Sequence, residues 1–246
     1  DIFRMLPSRK EIMRSLLNSD MIHFQCFTYA RHFLTCCSRL LGLEYHSIRG
    51  GLAQVNFNGH RVHIRASHVG MDTGTLVQNF GTDSAVTEHI ALWRDRLAGR
   101  HVILGYDDLE PMSGITLKLT AVKSLVRLFP STLGNVILVL VAIPLKGPDG
   151  RDLHSAYSKK VNRMVEEMNA QQPGLVLYYQ RRMPFAERTA LFASSDVLVN
   201  SSIRHGLNLV PFEFVMCSKE KKAGFVVSEF LGCSRVLPGA VRTNPW

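Results

Sequence analysis

The sequence predicts an α/β protein, on three observations. From residue 101 onward, short continuous apolar runs alternate with longer amphipathic stretches. The apolar runs lack the in–out alternation of a half-solvated strand, as expected for parallel strands covered by helices on both faces. Finally, the passage Asp196-Val197-Leu198-Val199-Asn200 leads through Arg204-His205-Gly206-Leu207-Asn208-Leu209-Val210-Pro211-Phe212-Glu213 into a helical segment. That is the strand–turn–helix form in which α/β proteins present backbone N–H groups to an anion.

The elements follow in order. Residues 9–17 have helical periodicity, 21–25 read as a strand and 29–41 as a longer amphipathic helix. Two strands then pair around Asn58-Gly59, where Ala53, Val55 and Phe57 are answered by Val62 and Ile64; Asn-Gly is the strong two-residue hairpin signal. Residues 73–97 are helical in pattern, with Val77, Phe80, Ile90, Trp93 and Leu97 available to pack inward. The βα series follows: strands at 101–105, 136–142, 175–179, 197–200 and 225–228, and helices at 117–129, 154–168 and 185–192 and from 207 onward. The change of pattern divides the chain into 1–99 and 100–246. Ligands of such folds sit beyond the carboxyl ends of the strands, so the loops 106–114 and 201–210 matter most.

Composition narrows the function classes. In 246 residues, 46% are hydrophobic, which suits a globular core. The net charge of +9 favours anionic ligands, yet the basic residues are scattered: Arg94 and Arg96, Lys159 and Lys160, Arg181 and Arg182, and Lys219 to Lys222 around Glu220. No basic stripe interleaved with aromatics speaks for nucleic acid. Cys26, Cys36, Cys37, Cys217 and Cys233 are odd in number and lack CxxC spacing, a pattern of free thiols in a reducing compartment. His60, His63 and His68 lie close in sequence, but positions 60 and 63 of a strand face opposite ways, against a metal site. The longest apolar run, 136–144, is too short to span a bilayer, and no leader opens the chain, so a soluble, cytoplasmic protein without membrane partner is expected.

In the loop 201–210, Gly206 permits a tight turn and close approach of a ligand, and Glu213 is suited to accept from ribose hydroxyls. An ordinary strand–loop–helix unit with no ligand has the same local pattern.

Several motifs carry a family resemblance. They are Phe24 with Tyr29-Ala30-Arg31-His32-Phe33, Cys37-Ser38-Arg39, Leu41-Gly42-Leu43-Glu44, Gly105-Tyr106-Asp107-Asp108-Leu109, Gly114-Ile115, Leu117-Lys118-Leu119, Gly206-Leu207-Asn208-Leu209-Val210, Ser228-Glu229-Phe230 and Asn244-Pro245-Trp246. In this order they resemble the trehalose-6-phosphate synthases of glycosyltransferase family 20, over the whole chain. Tyr106-Asp107-Asp108-Leu109 and the run from Ser228 to Ser234 are most similar to the plant class II branch. The resemblance implies a GT-B fold of two Rossmann-like domains, the first truncated here and the second incomplete at its carboxyl end. It also implies metal-free, cofactor-free, retaining transfer of glucose from UDP-glucose to glucose-6-phosphate, in trehalose biosynthesis.

The positions that the resemblance marks as functional are largely substituted. Gln25 stands where the family has a histidine against the transferred sugar, and an amide does not titrate near neutral pH. Asp108 and Ser113 replace the arginine and lysine that meet the donor diphosphate, and His205 replaces the aspartate that holds the donor glucose. Loss of one donor to a developing anion costs about 3–4 kcal/mol, so loss of two cations with an added repulsion predicts near-abolished turnover. No catalytic position is intact by this reading. Retained for the nucleotide sugar are Gly206, Asn208, the Leu209 and Val210 amides and Glu213, while Lys146 stands for an arginine at the acceptor phosphate without its bidentate fork. The plain alternatives are a solvated helix residue at 213 and a loop lysine at 146. The expectation is a degenerate, regulatory relative with weak affinity for UDP, UDP-glucose or a sugar phosphate, and with a protein partner such as an active synthase. An active UDP-glucose-dependent glycosyltransferase and a non-functional fragment are the competing readings.

Overall fold

The structure, a computed structural model, describes all residues except 1, 49–51, 68–69, 75, 77–79, 81–82, 98, 219–220 and 222. The chain forms two compact units, Asp1–Gly70 and Met71–Trp246.

The first unit begins with α1 (Ile2–Met5), α2 (Arg9–Leu16), β1 (Met21–Phe24) and α3 (Phe27–Leu41), followed by β2 (Tyr45–Ile48), β3 (Leu52–Phe57) and β4 (His60–Ala66). Its sheet has the order β1-β4-β3-β2, with β1 parallel to β4 and the other pairs antiparallel. The β3–β4 hairpin turns at Asn58 and Gly59, both at positive φ (53° and 79°), which is what the two-residue turn demands. Helix α3 buries Ala30, Phe33, Leu34 and Cys37, one stripe at helical spacing, against Val55, Val62 and Ile64 of the sheet. It ends at Gly42 (φ 69°), where Gly42 N–H bonds to Ser38 and Leu43 N–H to Cys37, a left-handed helix stop. Strand β2 was not expected from the sequence: it is an edge strand whose exposed Tyr45, His46 and Ser47 carry no apolar alternation. Among the described residues no His, Cys, Asp or Glu cluster suits a metal, and His68 lies outside them.

The second unit runs α4 (Ser84–Leu97), β5 (His101–Asp108), α5 (Ile115–Leu128), β6 (Val136–Ile143), α6 (Ser155–Gln171), β7 (Val176–Tyr179), α7 (Phe185–Ser194), β8 (Val197–Asn200), α8 (Val210–Cys217), β9 (Gly224–Ser228) and β10 (Val241–Thr243). Six parallel strands take the order β10-β9-β8-β5-β6-β7. From β5 the chain winds one way to β7, then returns to wind the other way from β8, so the order reverses between β5 and β8. Strand β6 shows why its sequence is apolar throughout. Ile137, Val139 and Val141 enter one core layer with α4, α7 and α8, while Leu138, Leu140 and Ala142 enter the other with α5 and α6.

One expectation needs correction. The helix expected over 73–97 begins afresh at Ser84, where Asp83 Oδ1 accepts from Ala85 N at 2.9 Å; Val77 falls outside the described residues. The compact units divide at Gly70, ahead of the change of sequence pattern at 100, and α4 packs within the second unit. Trp93 and Leu97 are buried there, and the Trp93 ring meets Tyr179 edge-on at 5.8 Å. The change of sequence pattern at 100 marks the first parallel strand of that unit, whose face α4 covers. Strand β10, three exposed residues, was also unexpected.

Candidate functional site

The carboxyl ends of β5 and β8, on either side of the point where strand order reverses, frame a crevice of about 130 Å³. This is where a doubly wound sheet takes its ligand. The two loops that form it are tied together: Ser201 Oγ donates to the Gly114 carbonyl at 2.8 Å, and Ile203 N–H donates to the Met112 carbonyl at 2.8 Å. Gly114 sits at φ +67°, and a Cβ there would overlap the Ser201 carbonyl, so only glycine lets the loops meet. Asn200, buried at the end of β8, accepts from Ser202 N–H at 3.1 Å and Ser202 Oγ at 2.7 Å, which fixes the exit from the strand.

The floor is built on a buried ion pair that sequence reading missed. Lys118 of α5 is fully buried and donates to Asp107 of β5. Gly105 makes room for it, since a Cβ there would lie 2.8 Å from both Cδ and Nζ of Lys118. Burial pushes the Asp107 carboxyl above its ordinary range; the Lys118 ammonium opposes this, and burial is the larger effect. The available signal was a lysine in the apolar stripe of α5, among Ile115, Leu119, Val122 and Val126.

The expected site residues separate into three groups. Asp108, Ser113, His205, Asn208, Leu209 and Val210 all line the crevice, with Asp107. Glu213 and Lys146 are not in its lining. Glu213, in the first turn of α8, pairs with Arg188 of α7 at 3.1 Å, and burial raises its pKa against the opposing pull of Arg188. Lys146 is exposed in a bridge opposite Asp152. Gly206 is not in the lining either, and its carbonyl accepts from Gly232 N–H at 3.1 Å. Gln25 is exposed, directly after β1 in the first unit.

The described lining of the crevice carries little positive charge. Its described lining holds two carboxylates, Asp107 and Asp108, and neither Lys nor Arg. The nearby cation Lys118 is held by Asp107 beneath the surface. The amino end of α8 offers less than the motif suggested: Val210 N–H already donates to Asn208 Oδ1 at 2.9 Å, and the next residue, Pro211, has no N–H.

Comparison with known proteins now bears on this arrangement. The sequence profile described as Glycosyltransferase family 20 matches residues 1–246. The chain belongs to this family. The Arabidopsis thaliana protein named Alpha,alpha-trehalose-phosphate synthase (UDP-forming) 5 is 37% identical over 267 residues, which cover 100% of this chain and 30% of that relative. Among solved structures, the N-terminal domain of the Candida albicans trehalose-6-phosphate phosphatase superposes with a TM-score of 0.88 at 28% identity, covering 99% of this chain and 51% of that one. A Burkholderia xenovorans alpha,alpha-trehalose-phosphate synthase (UDP-forming) in complex with glucose-6-phosphate superposes with a TM-score of 0.86 at 19% identity, covering 99% and 54% respectively. The fold is therefore α/β of the GT-B type, shared with the trehalose-phosphate synthases, and the chain spans about a third of the plant relative and half of the solved chains.

Proposed function

We propose that this chain is a trehalose-phosphate synthase-like protein whose nucleotide-sugar crevice has lost glucosyl transfer and keeps a regulatory role, with weak affinity for UDP, UDP-glucose or a sugar phosphate. The observation that carries the reading is the absence of Lys and Arg from the described lining of the crevice, together with Asp108 in that lining. A metal-free transfer that releases UDP needs fixed positive charge where negative charge develops. At an effective dielectric constant of about 20, one unit charge 4 Å away contributes about 4 kcal/mol. Replacing two such cations by a serine and a carboxylate removes a stabilisation of that order twice and adds a repulsion. His205, in place of an acid that orients the donor sugar in the family, weakens positioning as well.

The family fold and the glucose-6-phosphate complex of the Burkholderia protein support sugar phosphates as the ligand class. Five free cysteines fit a reducing compartment such as the cytoplasm. A relative without turnover acts through what it binds, and an active synthase is the partner proposed. The test is product formation: the chain is incubated with UDP-glucose and glucose-6-phosphate, and trehalose-6-phosphate is followed by mass spectrometry. We expect no product above a no-enzyme control; clear turnover overturns the reading.

A further inference from the structure

At the opposite, amino end of the same sheet lies a cavity of about 640 Å³, within the range of small-molecule sites. Phe80, Ile90, Leu97, Val102 and Met216 supply apolar wall, from α4, β5 and α8 and the segment before α4. Its charge is the reverse of the crevice. Arg94, Arg100 and Lys221 line it, and no Asp or Glu stands among its described lining residues.

The three cations are not equivalent. Lys221 is neutralised by Asp196 at 2.9 Å and also donates to the Ser194 carbonyl at 2.8 Å. Arg100 uses Nε on the Leu97 carbonyl and Nη1 on the Gly174 carbonyl, bonds that hold the guanidinium in place without cancelling its charge. Arg94 is exposed and has no carboxylate partner among the described residues. Two guanidinium groups with no carboxylate partner among the described residues therefore stand beside an apolar chamber, one of them anchored to backbone carbonyls.

We propose that this cavity binds a small amphipathic anion, an apolar body carrying a single carboxylate head group, with the body against Phe80, Ile90 and Met216 and the head at Arg94 and Arg100. Apolar surface in the chamber is removed from water by the body, and guanidinium groups pair with carboxylates through charge-assisted hydrogen bonds. The residues involved are separate from the β5–β8 crevice, so the proposal stands whether or not the chain transfers glucose.

The test uses the 246-residue chain with dodecanoate and dodecanol as probes, each kept below self-association, and isothermal calorimetry as the readout. We expect dodecanoate to bind at least tenfold more tightly than dodecanol, a preference reduced at least fivefold by Arg94→Gln, an exposed position that folding tolerates. Ala193→Phe, which places a ring in the chamber wall, abolishes binding of both probes while far-UV circular dichroism stays unchanged; if that variant does not fold, the Arg94→Gln result decides. Binding of neither probe, equal binding of the acid and the alcohol, or an Arg94→Gln variant with an unchanged preference overturns the proposal.

Discussion

Replacing Lys118 by Met isolates what the buried ion pair contributes beneath the crevice. Methionine fills most of the volume of the lysine stem and removes only the charge. Both members are almost entirely withdrawn from solvent, with side-chain exposures of 0% for Lys118 and 2% for Asp107, so the variant leaves an unpaired carboxylate in the core. Breaking a buried pair in this way costs about 3–5 kcal/mol, whereas replacing both members by apolar residues is often neutral. Urea unfolding of the chain should show Lys118→Met destabilised by about that much, and Asp107→Leu with Lys118→Met within about 1.5 kcal/mol of wild type. The deficit is pH-dependent, with a definite sign. Burial holds the folded-state carboxyl of Asp107 above its ordinary value, so the folded state binds the proton more tightly than the unfolded chain. That contribution to stability is complete below the unfolded carboxyl pKa, about 3.9, and is lost as pH rises toward the raised folded value. Removing the opposing ammonium raises the folded value further, so the Lys118→Met deficit should be small near pH 4 and grow as pH rises. A single variant within 1 kcal/mol of wild type at pH 7, or a double variant as unstable as the single one, refutes the role given to the pair.

Other outcomes follow from the same structure. Gly114→Ala should destabilise by at least 2 kcal/mol in urea unfolding, on the order of the cost of backbone strain with steric overlap, and more than Gly99→Ala, where φ is also positive but the space is open. Cys37 and Cys217, whose thiols burial pushes up to about 12, should resist iodoacetamide at pH 8 in the folded chain and react fully in urea, as read by mass spectrometry. Limited proteolysis should yield a resistant fragment that begins near Met71 rather than near Arg100, because α4 is packed on α7 through the core of the second unit; a fragment that begins at 100 contradicts that unit boundary.

The βα series of the second unit was legible because each strand is buried on both faces, and burial on both faces writes itself as an unbroken apolar run. Val136 to Ile143 is the clearest instance. Asn58-Gly59 was legible because two successive positive φ angles are tolerated by few other pairs. What escaped was structure held by context. Strands β2 and β10 are exposed edges whose sequence is under little pattern constraint, and they form by pairing with β3 and β9. The place of α4 in the second compact unit is set by packing, not by local pattern. In the site, Asp108, Ser113 and His205, which the resemblance marks, lie in the lining of the crevice, while the same reasoning missed that Arg188 holds Glu213 and that Asn208 occupies the Val210 amide. Those are side-chain competitions, invisible until the neighbours are placed.

The central claim is that this crevice is poor in positive charge and for that reason holds a nucleotide diphosphate weakly. It is tested most directly by calorimetric titration of UDP into the wild-type chain and into the Asp108→Arg, Ser113→Lys double variant at low ionic strength. Restoring two cations and removing one carboxylate should tighten UDP at least tenfold, about 1.4 kcal/mol, with the gain shrinking as salt is added. Tight UDP binding by the wild-type chain, or no gain in the double variant, contradicts the account.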